Sequence, residues 1–141
     1  MNNSLDVAAA YWDRVQQEPK RKNRYWQFPQ CIRAINQRMG YDSDQWSGAL
    51  IANLRAQRVD GFKKAISIGC GAGSKELEYL KAGIADHFDL YEISEARVAQ
   101  GRSLYARAGM ATKGRFLRED GFASLTTSAG KYDLVLWDNS L

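Results

Sequence analysis

A chain of 141 residues with 45% apolar and 26% charged side chains has the make-up of a single soluble globular domain. That excludes wholesale disorder, collagen-like repeats and disulfide scaffolds, and no run approaches the ~18 apolar residues that cross a bilayer. Twenty basic against sixteen acidic side chains leave +4, an excess concentrated in Lys20-Arg21-Lys22 with Arg24, a run that suits a solvated helix end or an anion footprint.

The opening stretch, with Asp6 and Asp13 and no basic region ahead of its short apolar run, does not read as a signal peptide. Cys31 and Cys70 form no CxxC pair and have no histidine ligands nearby, so neither a zinc site nor a disulfide framework is expected. A reducing cytoplasm is the compartment this implies.

Residues 1–61 read as helices. Ser4 can cap a helix running to about Gln17, with Leu5, Ala8, Trp12 and Val15 on one face, and Glu18-Pro19 stops it. A second helix follows Pro29, with Ile32, Ile35 and Met39 on one face and Gly40 as its C-terminal cap. A third is expected from Asp42 or Ser43 to about Asp60-Gly61, carrying Trp46, Ala49, Leu50 and Leu54. These stripes are first of all core, although Tyr11, Trp12, Tyr25 and Trp26 are numerous enough to line a ligand.

Residues 62–141 follow a different grammar. Strands are expected at 64–68, 87–93, 114–119 and 132–137, with helices over 74–81 and from a Ser94 cap to Arg107, where Gly109 ends the second. The stretch between the third and fourth strands reads as a loop. Strand, helix, strand, helix, strand, loop, strand predicts an α/β fold with a parallel sheet. The last strand, Tyr132-Asp-Leu-Val-Leu-Trp137, is apolar enough for a central place.

The sharpest motif is Ser67-Ile-Gly69-Cys-Gly71-Ala-Gly73-Ser74, lying between a strand and a helix. Glycines there admit a tight turn and let a ligand lie against bare backbone, while the helix N-terminus favours a carboxylate or phosphate. Dinucleotide folds use G-x-G-x-x-G; here the glycines stand at 69, 71 and 73, with Ser74 in the place of the third glycine of that pattern. Glu92, 23 residues after Gly69 at the next strand's end, can accept from both hydroxyls of a ribose. At the third strand's end, Asp120 can either accept from an adenine amino group or cap a helix, and Phe122 can pack on a base.

In order, AISIGCGAG, DLYEIS, FLREDGF and YDLVLWDNSL resemble the motifs of class I S-adenosylmethionine-dependent methyltransferases, and the N-terminal AAAYWDRV and CIRAINQRMGYDSDQW are similar to the helical lead-in of bacterial small-molecule members. The resemblance implies a Rossmann-like parallel sheet, the first four strands of a seven-stranded one, preceded by helices at 1–61. By position it implies that Ser67, Gly69, Cys70, Gly71 and Gly73 face the methionine part of S-adenosylmethionine. Glu92 would hold the ribose with Ile93 beside the adenine. Asp120, Gly121 and Phe122 would bracket the adenine edge, and Trp137 with Asp138 would lie near the sulfonium. Ser67 departs from the pattern, which usually carries an acid there. Since the pattern continues past a fourth strand, the resemblance also implies that residues 62–141 are a cofactor-binding half domain, truncated after that strand.

No Ser/His/Asp set, HExxH or paired-carboxylate arrangement is evident, and no catalytic base is assigned. His87, at a strand start, and Cys70, within the loop, read as structural rather than catalytic. The expected activity is methyl transfer to a small-molecule acceptor. A nucleic-acid methyltransferase and a non-catalytic nucleotide-ligand module are the alternatives. An exposed edge on the fourth strand is a possible route to oligomers.

Overall fold

Four short apolar stretches, each ending where polar or glycine residues begin, form the strands that organise the molecule. The computed structural model describes residues 3–17, 28–45, 47–127 and 130–137, without the side chains of residues 3 and 15–17. The elements are α1 (Asn3–Gln17), α2 (Pro29–Arg38), α3 (Gly48–Ala56), β1 (Ala65–Ile68), α4 (Ser74–Lys81), β2 (Phe88–Tyr91), α5 (Glu95–Arg107), β3 (Gly114–Leu117), α6 (Gly121–Thr126) and β4 (Leu134–Trp137). The sheet is wholly parallel, in the order β3-β2-β1-β4. No helix among the described residues is long and apolar enough to cross a membrane.

β1 and β2 are buried at every position, because both of their faces are covered. On one face Leu77 and Leu80 of α4 and Val98 and Tyr105 of α5 pack with Ala65, Phe88, Leu90 and Phe116, and Ile51 and Leu54 of α3 join them. On the other, Ile66, Ile68 and Tyr91 meet Leu125 of α6 and Tyr132. Continuous apolar strands are what this double cover demands.

Tertiary hydrogen bonds seat the entry to the sheet. The Asp133 carboxylate accepts from the Lys63 and Lys64 amides, both at 3.0 Å, where β1 and β4 start. Asp89, 1% exposed near the start of β2, accepts from Arg115 Nε at 2.9 Å and Tyr132 Oη at 2.8 Å, with Lys64 Nζ 3.6 Å away. Burial alone would push its carboxyl up; the Arg115 and Tyr132 hydrogen bonds and the two nearby cations outweigh that and hold it below the ordinary value. His87 Nε2 stands 3.3 Å from the same carboxylate, away from the glycine loop.

Several expected boundaries shift for local reasons. α1 already includes Asn3, so Ser4 lies inside its first turn rather than capping it. The third helix starts only at Gly48, because fully buried Asn36 turns the preceding chain around itself: its Nδ2 donates to the carbonyls of Ser43 and Gln45, at 2.8 and 2.7 Å. Asp42 instead pairs with Arg33. Gly40 does end α2, with φ of 88° and the Gly40 and Tyr41 amides donating to Gln37 and Asn36, a Schellman motif. Met39, expected on the inner face, sits at that cap and is exposed, as is Leu50 of α3. The stretch read as a loop contains α6. β4 lies at an edge of the described sheet rather than at its centre. The basic run at 20–24 and the residues Tyr25, Trp26, Trp46 and Asp138 lie outside the described residues.

Candidate functional site

The chain leaves β1 through Gly69, Gly71 and Gly73, with φ of 67°, 61° and 69°. Each is in the left-handed region where a side chain is strained. Gly73 is also the N-cap of α4, and a Cβ there would come within 3.1 Å of Phe116 and 3.2 Å of Tyr105, whose hydroxyl donates to the Gly73 carbonyl at 2.9 Å. Gly71 is different: a Cβ there would meet only the Arg97 guanidinium, at 3.7 Å. One glycine is required by packing, the other keeps backbone bare.

Glu92 closes the loop from the end of β2. Its Oε2 accepts from the Gly71 amide at 2.9 Å and its Oε1 from the Ser94 amide at 2.8 Å. Each oxygen keeps a second lone pair. Ser94 then caps α5, its Oγ accepting from the Arg97 amide. From the other side, Asp120 caps α6 by accepting from the Phe122 amide at 2.9 Å, so the helix-capping role is realised. One carboxylate oxygen serves that bond; the other is not needed for it. Gly121 is buried, and a Cβ there would stand 2.9 Å from both Ile68 and Tyr91.

These strand ends surround an open cleft of about 180 Å³. Of the residues singled out in the sequence, Gly69, Glu92, Ile93, Asp120, Gly121 and Phe122 line it. Trp137 stands at its border, edge-on to Phe122 with ring centroids 5.2 Å apart. Ser67 and Cys70 lie beneath. Ser67 is 3% exposed and donates to Oε1 of buried Glu76 at 2.6 Å, a partner from α4 that the position of Ser67 in the motif did not suggest. Burial pushes the Cys70 thiol well up, and the carboxylates of Glu76 and Glu92 push it further, so it stays protonated. That removes the thiolate a nucleophile needs.

Of the cleft's remaining wall the sequence offered only Trp12, as one of several aromatics able to line a ligand. Leu5 and Trp12 of α1, together with Arg97 of α5, line it as well. The α1 helix reaches this place because Asp13 accepts from Ser94 Oγ at 2.5 Å and from the Ala96 amide at 3.3 Å, adding a second acceptor to the exposed amides of the α5 N-terminus. Beside it, the Arg97 guanidinium lies over the Trp12 ring, 4.6 Å from its centroid. The Leu5–Trp12 spacing marked a buried face, but nothing in it named the partner.

No family model and no curated protein matches the chain. Solved structures do. A SAM-dependent methyltransferase from Geobacter sulfurreducens in complex with S-adenosyl-L-homocysteine is 19% identical, with a TM-score of 0.52 over 64% of this chain and 35% of that one. A SAM-dependent methyltransferase from Thiobacillus denitrificans, in complex with the same molecule, is 19% identical, with a TM-score of 0.51 over 63% and 35%. A Podospora anserina methyltransferase bound to SAH is 19% identical, with a TM-score of 0.55 over 96% of this chain and 50% of that one. The chain thus spans a third to a half of the length of these structures and shares with them a Rossmann-like α/β fold, the fold of class I methyltransferases.

Proposed function

We propose that this chain is the cofactor-binding part of an S-adenosylmethionine-dependent methyltransferase acting on a small-molecule acceptor. The observation that carries the reading is the convergence of Gly69, Glu92 and Asp120 on one cleft, each just past the end of a parallel strand. Ligands of open α/β sheets bind at such strand ends. The residues fit the cofactor piece by piece. Bare backbone at Gly69 and Gly71 suits close approach of the methionine part. The spare lone pairs of Glu92 suit the two ribose hydroxyls. Ile93 and Phe122 offer apolar faces to a base whose amino group Asp120 can accept from.

When bound, the cofactor supplies an electrophilic methyl group on a sulfonium, open to in-line displacement. The protein's share is alignment: it holds the donor rigidly at the strand ends and leaves the acceptor to approach past Leu5, Trp12 and Phe122. No described residue is given the role of general base. A small acceptor is favoured over nucleic acid because the cleft's described lining sets three carboxylates, Glu92, Glu119 and Asp120, against one guanidinium, Arg97. That balance repels a phosphate backbone.

Titration calorimetry with S-adenosylhomocysteine and NAD tests the reading. The former should bind more tightly; tighter binding of NAD would overturn it, since the 69/71/73 glycine spacing is what separates the two ligands.

A further inference from the structure

Arg97 is the one cation among the described residues lining the cleft. It belongs to the first turn of α5, so its backbone is held by a capped helix. Its guanidinium is stacked on Trp12, and one of its terminal nitrogens stands 3.7 Å from the point a Cβ on Gly71 would occupy. Stacking occupies the flat face of a guanidinium and leaves its in-plane N–H donors available. Among the described residues no carboxylate forms an ion pair with it. Glu92, which lines the same cleft, accepts from the Gly71 and Ser94 amides.

A pre-oriented fork of donors over the glycine loop is a receptor for a planar anion. The three carboxylates elsewhere in the cleft select against a multiply charged one. We propose that Arg97 binds the carboxylate of the amino-acid part of S-adenosylmethionine, and that Trp12 is the positioning residue that keeps the guanidinium flat. The inference rests on the cofactor reading above and adds to it that α1, through one indole, belongs to the ligand site.

Two probes separate the inference from the reading beneath it. S-adenosylhomocysteine carries the carboxylate; 5′-methylthioadenosine keeps the adenosine and the sulfur but lacks the amino-acid part. In calorimetry on the 141-residue chain, Arg97→Ala should weaken S-adenosylhomocysteine about 10-fold or more, the scale of a lost charged hydrogen bond. It should change 5′-methylthioadenosine by less than about 2-fold, as for a site that the ligand does not touch. Arg97→Lys should recover part of the loss, since a point charge replaces the fork. Trp12→Ala should produce a smaller loss with the same preference for the carboxylate-bearing probe. Equal losses for both probes, or none for either, would overturn the assignment of Arg97. Failure of the parent chain to bind either probe would strike the cofactor reading itself.

Discussion

On the cofactor reading proposed above, Glu92 serves folding and binding with one side chain. Its oxygens take the amides of Gly71 and Ser94, which sets both the curve of the glycine loop and the start of α5. Removing it leaves two donors without their acceptor and, on the proposed reading, a ribose without its partner. Glu92→Ala should therefore weaken S-adenosylhomocysteine by about 1–3 kcal/mol, the range for a charged hydrogen bond, and also lower the melting temperature. Calorimetry paired with a thermal melt checks both. Binding equal to the parent would refute the ribose role even if the melt shifts. Ser67 illustrates the opposite case. Its hydroxyl is committed to Glu76 inside the fold, so a carboxyl group reaches this end of β1 from α4 instead of from the strand.

Among the elements, α1 meets the start of α5 through two described contacts of distinct kinds. One is the bonding of Asp13 to the start of α5, the other the stack of Trp12 on Arg97. The Ser94 hydroxyl bond leads in lowering the Asp13 carboxyl, opposed by partial burial and helped by the Ala96 amide and the Arg118 charge. A lowered carboxyl contributes its stabilisation above the ordinary aspartate value of 3.8 and loses it as pH falls through the lowered one. At neutral pH Asp13→Ala should speed hydrogen exchange in the amides of 4–14 several-fold while leaving α4 unchanged. The parent, acidified below about pH 4 and corrected for intrinsic exchange, should approach the variant. Equal protection of 4–14 in both proteins at pH 7 would show that α1 is docked by other contacts. α6, which the sequence offered only through the capping alternative at Asp120, has the same dependence on a single acid: Asp120 provides its cap.

For the whole molecule the exposed side of β4 matters most. Among the described residues no strand pairs with its outer edge, and Val135 and Trp137 are 51% and 54% exposed. An apolar edge with open N–H and C=O groups recruits further strands. The 141-residue chain should accordingly associate as its concentration rises. Val135→Lys should shift light scattering towards the monomer, because a charged side chain on an edge opposes pairing. A parent that stays monomeric at high concentration would show that the edge is protected.

The α/β class and part of the candidate cleft's lining were legible in the sequence because they rest on local rules. Apolar runs of strand length, glycines at 69, 71 and 73, the Ser94 cap and a carboxylate at a strand end each act within a few residues of themselves. α4 in particular was legible to the residue, at 74–81. The strand order was decided by tertiary pairing: the placement of β2 between β3 and β1 gathers the ends of these three strands around one cleft. The rest of that lining was decided there too. Trp12 and Arg97 stand 85 residues apart in the chain, and nothing in the neighbourhood of either names the other. They meet because Asp13 is drawn to the free amides of a distant helix, an attraction that exists only once α5 has formed.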